Sequence, residues 1–516
     1  MKQTPSRLVS SVAKNSLISG AGSVFNYLMA PISAILTTRA LGAELFGVFA
    51  LVQTWGAMLS NFSSFGLNGA NLRLIPQYNA VGNKPAVKGS IFWTLRVSLV
   101  VSLGLTIYLA ILPEHFSSVL VRKPERITAS VLESTLPGAF RFYAVSILLT
   151  SVYMVGLSSL NGLKLIQYKT LANEFVGPVI KVVSLVALLA LGLDLKAALL
   201  SNILQDLAVL VVAGYFLVRW WPALLDRSIR PVFHYRMMNK FGATLFVSSL
   251  LNKYTFQLDL LFLGYFSTLK EVGVYTVALR LQPLIYLSLY MISNIFSPLI
   301  GELHAQGKLD EMASLYRTVT KWAFTISLLM VSIILVFDRE ILLIFGKDFT
   351  DGKLPLLILS LGNLVQVLLG SAGSIIVMTG KIYLNLLNSL VIAVANVVGY
   401  YFLISSMGAL GAALANSISV ILISVLFFLE VLYYYKMHPF QVSLWKPVVA
   451  AVLSAAVSWS LKSMIVLDGL PYAFVLWILL GTGVFFAALY MFKLDEEDKF
   501  VLTKIRTRLS RSKQNT

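Results

Sequence analysis

Residues 37–78 read T-T-R-A-L-G-A-E-L-F-G-V-F-A-L-V-Q-T-W-G-A-M-L-S-N-F-S-S-F-G-L-N-G-A-N-L-R-L-I-P-Q-Y. An apolar segment ends at Arg39. A short polar turn with Gly42 and Gly47 follows. A second apolar segment then runs to Leu67, before a Gly/Asn-rich exit that holds Arg73 and Pro76. Two segments of membrane-crossing length joined by so short a turn form a helical hairpin in lipid. The pattern returns from Phe266 as F-S-T-L-K-E-V-G-V-Y-T-V-A-L-R-L-Q-P, which aligns Gly47-Val48-Phe49 with Gly273-Val274-Tyr275. The exits match as well, Pro76 before Gly82-Asn83-Lys84 and Pro298 before Gly307-Lys308-Leu309-Asp310. A hairpin used twice predicts two related halves.

Composition agrees with a membrane setting. The 516 residues are 58% hydrophobic and only 12% charged, with mean hydropathy +0.81, against about 25% charged residues in soluble domains. Apolar runs of roughly 20 residues span a bilayer core, and without period-two alternation they predict helices and not a barrel. The expected spans are 15–39, 44–67, 88–112, 135–160, 171–192, 196–219, 241–265, 271–300, 313–337, 354–379, 383–406, 409–434, 446–466 and 471–492. Helices 11 and 12 part at Met407-Gly408-Ala409. Ile341 to Gly346 reads as an interfacial apolar patch.

The first apolar run is too long for a signal peptide and reads as a retained helix. With the N-terminus inside and cations near the span ends counted with the adjoining loops, cytoplasmic segments carry 25 Lys/Arg, external ones 10 and spans 6, which predicts that both termini are cytoplasmic. The formal net charge of +18 then reflects topology and contact with anionic lipids, not nucleic acid. The expected organisation is helices 1–6 in 1–232, helices 7–12 in 233–440, helices 13 and 14 in 441–494, and a basic cytoplasmic tail in 495–516. In the tail, Leu502, Ile505 and Leu509 sit at the spacing of an interfacial helix.

A second signature follows Asn396: N-x6-L-x4-G-x2-G-A-A-x-A. Asn388 and Asn416 occupy places equivalent to Asn173 and Asn202. Gly408, Gly411, Ala412, Ala413 and Ala415 suit close helix packing in lipid. Together with P-x8-G-K-x-D from Pro298 and the doubled hairpin, this pattern resembles the multidrug/oligosaccharidyl-lipid/polysaccharide exporter superfamily. The segments from Leu41 and Phe65 resemble its polysaccharide-transport branch, the O-antigen-type flippases. The resemblance covers nearly the whole chain. It implies an all-α polytopic membrane protein with two pseudo-symmetric six-helix lobes in a V around a central cavity, plus two extra C-terminal helices. The substrate it implies is an undecaprenyl-diphosphate-linked oligosaccharide, with a polysaccharide polymerase and glycosyltransferases as candidate partners. The chain itself is expected to act as a monomer.

Ionisable groups inside spans mark pathways or partners. The cations are Arg96, Arg141, Lys181, Lys253, Arg280 and Lys321; the acids are Glu174, Asp206 and Asp259. Lys253 and Lys181 lie near the midplane, Lys253 roughly 18 Å from either end of its helix at about 1.5 Å per residue. Lys321 is close enough to an end to snorkel. Buried cations in excess of acids are costly unless they face water or an anion, and a diphosphate is such an anion. The candidate substrate-binding set is therefore Arg39, Arg73, Arg96, Arg141, Lys181, Lys253 and Arg280. Glu174, Asp206 and Asp259 are candidates for coupling to a proton or cation. Pro31, Pro178 and Pro283 are expected to bend their helices.

No enzyme activity is expected. There is no cysteine, the four histidines lack metal-ligand spacing, and neither a phosphate loop nor a nucleophile–base arrangement occurs, so no cofactor is anticipated. Two alternatives stand beside a flippase. A multidrug/cation antiporter would present acids to its substrate, and a non-transporting scaffold of a polysaccharide assembly complex would need no midplane charge. The cysteine-free background makes the topology directly testable. Single cysteines replacing Lys84, Arg230 and Lys436 should react only from the cytoplasmic side, and those replacing Arg122 and Lys347 from outside. Labelling at position 230 from outside would overturn the arrangement.

Overall fold

The computed structural model describes residues 5–120, 134–250, 257–464 and 474–492. In chain order the helices are α1 (Pro5–Ser63), α2 (Leu67–Ala80), α3 (Lys84–Ile111), α4 (Pro113–Val119), α5 (Leu136–Gly162), α6 (Ile166–Thr170), α7 (Gly177–Ala190), α8 (Asp194–Trp220), α9 (Tyr235–Ser249) and α10 (Leu258–Phe266). They continue as α11 (Leu269–Leu281), α12 (Pro283–Ala305), α13 (Leu309–Phe345), α14 (Lys353–Leu369), α15 (Ala372–Met378), α16 (Ile382–Gly399), α17 (Ser405–Tyr435), α18 (Trp445–Met464) and α19 (Phe474–Met491). No strand occurs among the described residues. Ten stretches among them are long and apolar enough to cross a membrane. The chain is an all-α, multi-pass membrane protein.

Two of these stretches, Ile18–Ser63 and Ile382–Tyr435, are 46 and 54 residues long, far more than one crossing needs. Each bends at a glycine. Gly42 has φ 68° and ψ 179°; Gly408 has φ 57° and ψ −130°. A side chain would be strained in either place, which explains why the helix kinks at a glycine in Leu41-Gly42-Ala43 and Met407-Gly408-Ala409. The prolines act in three ways. Pro31 lies within α1. Pro178 begins α7 directly after a π-helical turn, Leu171–Val176. Pro283 opens α12 after a break at Gln282. The apolar patch from Ile341 continues α13 beyond a kink at Phe337, with Leu342 and Phe345 buried.

The chain forms two compact units, Met1–Gly273 and Val274–Thr516. In the first, α5 is the hub, packed against α1, α2, α3 and α8. Its contacts use small hydroxyls as well as apolar side chains: Ser63 of α1 donates to Ser151 at 2.7 Å, and Thr106 of α3 donates to the Ala144 carbonyl at 2.9 Å. Such bonds satisfy polar groups that lipid could not. The α8–α9 connection is strapped onto the start of α3. There the Val232 amide donates to the Pro85 carbonyl at 3.0 Å, and buried Lys88 donates to the Asp226 carbonyl at 2.6 Å. The Ser228 hydroxyl and amide hold the Asp226 carboxyl below the usual carboxylate range.

In the second unit α13 is the hub, against α12, α14 and α18. The last two helices dock there through Leu329, Ala450, Ala451, Phe485 and Ala488. Ser454 donates to the Gly481 carbonyl at 2.7 Å, and Lys462 pairs with Glu340 at 2.9 Å. The G-x2-G-A-A run packs tightly, with Ala412 and Ala413 fully buried and a Cβ on Gly411 colliding with the Leu403 carbonyl.

The repeated hairpin glycines meet inside the first unit. A Cβ on Gly47 would strike the Leu269 carbonyl and lie 3.1 Å from the Gly273 nitrogen; one on Gly273 would strike the Ala43 carbonyl and lie 3.1 Å from the Gly47 nitrogen. Gly47→Ala and Gly273→Ala should therefore each cost about 1–3 kcal/mol or more by overpacking, while Gly104→Ala, with nothing within 4 Å, should be tolerated. Unfolding midpoints in detergent and membrane levels of the three variants check this.

Candidate functional site

Three acids predicted from the sequence, Asp206, Glu174 and Asp259, each accept hydrogen bonds from neutral donors. Asp206, on α8, is 6% exposed. It accepts hydrogen bonds from Ser146, at short range, and from Thr150 at 3.1 Å, both on α5. Lys181 of the neighbouring α7 acts on the same carboxylate electrostatically. Glu174 lies in the π-helical turn before α7 and accepts from Asn26 and Asn173, each at 2.8 Å. α1 approaches closely there because Gly22 has no side chain to strike Thr170, and Phe25 stacks on Phe175 with ring centres 4.9 Å apart. Asp259, 0% exposed, opens α10 and accepts from the Leu260 amide at 2.7 Å.

The cations are dispersed. Arg96 projects from the middle of α3, on the exposed stripe that continues through Leu99, Val100, Leu103 and Ile107. Among the described residues no carboxylate pairs with it. Arg141, near the start of α5, pairs with Glu114 of α4 at 3.4 Å, both side chains being more than half exposed, and its Nε donates to the Ala110 carbonyl at 3.2 Å. Arg39 is exposed, three positions before the Gly42 bend. Arg73, on α2, stands over the Phe241 ring at 4.3 Å. Arg280 is half-buried in the last turn of α11, in the second unit. Lys321 is buried on α13. Lys253, Arg122 and the basic tail lie outside the described residues.

Sequence reasoning missed Glu430. Its carboxylate on α17 accepts from Asn388 of α16 at 3.0 Å, and its second oxygen is buried without a hydrogen-bond partner. The equivalence of Asn388 with Asn173, whose partner is also a glutamate, is the signal that could have found it. The described residues contain no cluster of metal-ligating side chains.

The fold is that of an all-α polytopic membrane protein. By shape the chain is similar to the lipid II flippase MurJ in an inward closed conformation, with TM-score 0.68 and 13% identity over 92% of this chain and 98% of that one. It is also similar to an inward-facing multidrug resistance transporter of the MATE family, with TM-score 0.65 and 17% identity over 80% and 94%. A profile described as polysaccharide biosynthesis protein matches residues 12–304, and the MatE profile matches residues 245–402. The chain belongs to the polysaccharide biosynthesis protein family, within the multidrug/oligosaccharidyl-lipid/polysaccharide exporter superfamily. Among curated proteins it is 24% identical to the probable low-salt glycan biosynthesis flippase Agl15 of Haloferax volcanii, over 87% of this chain and 88% of that protein. It is 33% identical over 27% of its length to the capsular polysaccharide biosynthesis protein CapF of Staphylococcus aureus, covering 35% of that protein.

The Asp206 node makes a direct prediction. Asp206→Ala strands two hydroxyls and leaves Lys181 without the charge that offsets it, at a cost of about 1–3 kcal/mol. Combining it with Lys181→Met should cost less than the sum of the two single changes, with a coupling of about 0.5–3 kcal/mol. Unfolding midpoints of the four proteins in detergent measure that coupling.

Proposed function

We propose that this protein is a flippase, not an enzyme. It moves an undecaprenyl-diphosphate-linked oligosaccharide unit across a bacterial inner membrane by alternating access, with both termini cytoplasmic, for O-antigen, capsule or exopolysaccharide synthesis. The observation that carries the reading is Arg96. It lies twelve residues after the start of α3, about 18 Å along the helix at 1.5 Å per residue. Among the described residues no carboxylate pairs with it, so its charge is available to a ligand. A guanidinium at that depth is too costly to keep without an anion or water, and its planar fork suits phosphate oxygens. Family membership and the glycan flippase and capsule relatives support the same substrate class. Lys253, Arg280, Lys181, Arg73, Arg39 and Arg141 are proposed to contribute further positive charge to the substrate.

Asp206 and Glu174 are proposed to couple transport to a proton. Their partners Ser146, Thr150, Asn26 and Asn173 are neutral groups that can reorganise around a protonated carboxyl. Asp259 is a third candidate.

In a strain lacking the gene, Arg96→Ala should abolish surface polymer while the protein remains in the membrane at normal level, and Arg96→Lys should restore part of it. Full polymer with Arg96→Ala would remove the main support for the reading. Loss of the protein itself would show that Arg96 serves the fold.

A further inference from the structure

A cleft opens between α2 and α9 in the first unit, with a volume of about 370 Å3, lined by Gly69, Leu72, Arg73, Lys240, Phe241, Thr244 and Leu245. That volume lies within the usual range for small-molecule sites, about 300–1,000 Å3. We propose that this cleft binds the diphosphate of an isoprenoid lipid together with its first prenyl units. The proposal rests on the flippase reading above only for the source of such a lipid.

The charges come first. Arg73 projects from α2 and Lys240 from α9, so two cations face one cavity from two helices. Both are exposed, and no carboxylate pairs with either among the described residues. No acid lines the cleft, so its electrostatics favour an anion of more than one charge. The Arg73 guanidinium lies over the Phe241 ring at 4.3 Å. That stacking holds the guanidinium plane in place and leaves its N–H edge available for bidentate contact with phosphate oxygens. The Thr244 hydroxyl donates to the Lys240 carbonyl at 3.0 Å and so tightens the turn that carries the ammonium.

The remaining walls are apolar. Leu72 and Leu245 are large and exposed, at 44% and 37%, where a free phosphate would leave them unused. The cleft also sits at the level where spans give way to interfacial residues. α2 follows the last residue of a crossing stretch, Ser63. Trp93 donates to Asn239 at 2.9 Å and packs on Tyr235, and Tyr78 packs on His234. Trp and Tyr gather at the headgroup level of a bilayer. A ligand there has its charged end towards water and its chain in lipid. An isoprenoid diphosphate meets both demands, and it brings more negative charge to the two cations than the single phosphate of a phospholipid.

The test uses the purified full chain in phosphatidylcholine nanodiscs with farnesyl diphosphate as the probe, binding being followed by calorimetry. Each of Arg73→Ala and Lys240→Ala should weaken binding about tenfold or more, the equivalent of one charge-assisted hydrogen bond, and the double variant should show none. Phe241→Ala should weaken it with charge unchanged, and Arg73→Lys should restore only part of the affinity. Arg227→Ala, in the exposed connection, should bind as the parent does, and thermal unfolding should show each variant folded. Farnesol, inorganic pyrophosphate and phosphatidylglycerol should compete poorly. Unchanged binding in the folded double variant would overturn the site, as would competition by pyrophosphate or phosphatidylglycerol equal to that of farnesyl diphosphate. Binding reads the cleft alone, and polymer in the deletion strain reads the flippase assignment. A double variant that binds unchanged in a chain that restores polymer would sink the cleft and leave the assignment standing. Binding lost in the double variant of a chain that never restores polymer would do the reverse.

Discussion

The first unit depends on the reciprocal approach of two glycines. Gly47 and Gly273 each leave room for a backbone carbonyl of the other's segment, Leu269 in one direction and Ala43 in the other. In lipid no hydrophobic gain drives two helices together, so stability comes from how closely their backbones can pack. The surroundings show how completely this contact is enclosed. Phe46, Val48, Phe49, Ala50, Leu51 and Val52 are all at most 2% exposed, a helix buried on every side. Gly264 of α10 makes room for Leu51 in the same way, and Gly56 for Tyr143 of α5. The second half of α1 is thus clasped by three neighbours at points where only glycine fits. The sequence repeat records this constraint, because both copies of the hairpin must keep the residue that makes the crossing possible.

Three acids accept from hydroxyl or amide donors: Asp206 from Ser146 and Thr150, Glu174 from Asn26 and Asn173, Glu430 from Asn388. A carboxylate solvated by neutral dipoles does not depend on one rigid cation, whereas an ion pair loses several kcal/mol, about 3–5, when one partner is removed. The cations sort differently. Arg141 has an exposed partner, Glu114, at its own end of the helix, so its cost is small and so is its contribution. Arg96 sits deeper along α3, and among the described residues no carboxylate pairs with it.

Much of the fold was legible because its determinants are local. The Gly42 and Gly408 bends, the doubled hairpin and the apolar length of the spans all follow from residues within one turn of each other. What was not legible depends on residues far apart in sequence. Nothing near Arg73 in the chain announces Lys240 or Phe241, and nothing near Arg141 distinguishes Glu114 from other loop acids. Asn26 reads as one polar residue in an apolar helix until α1 is laid beside Glu174. Glu430 is hard to find by sequence because its partner, Asn388, lies 42 residues earlier on another helix. α9 and α10, which open the second repeat in sequence, pack against α2 and α1 within the first unit.

The break between α1 and α2 shows how backbone geometry reaches the chemistry. Phe65 and Gly66 have φ 45° and 72°, so the chain leaves the helix after Ser63 and resumes along a new axis. A left-handed Phe is costly by about 1 kcal/mol or more and persists only where its surroundings fix it. Here they do: Phe65 and Phe62 pack on Phe246 at ring-centre distances of 5.8 and 5.0 Å, and Gly66 lies against the Gly242 carbonyl. These contacts join α2 to α9 at one end, with Leu67, Ala70, Leu74 and Met238 forming a buried seam beyond them. Arg73 and Lys240 are carried on the two sides of that seam. The two helices that carry them are therefore held side by side by close packing.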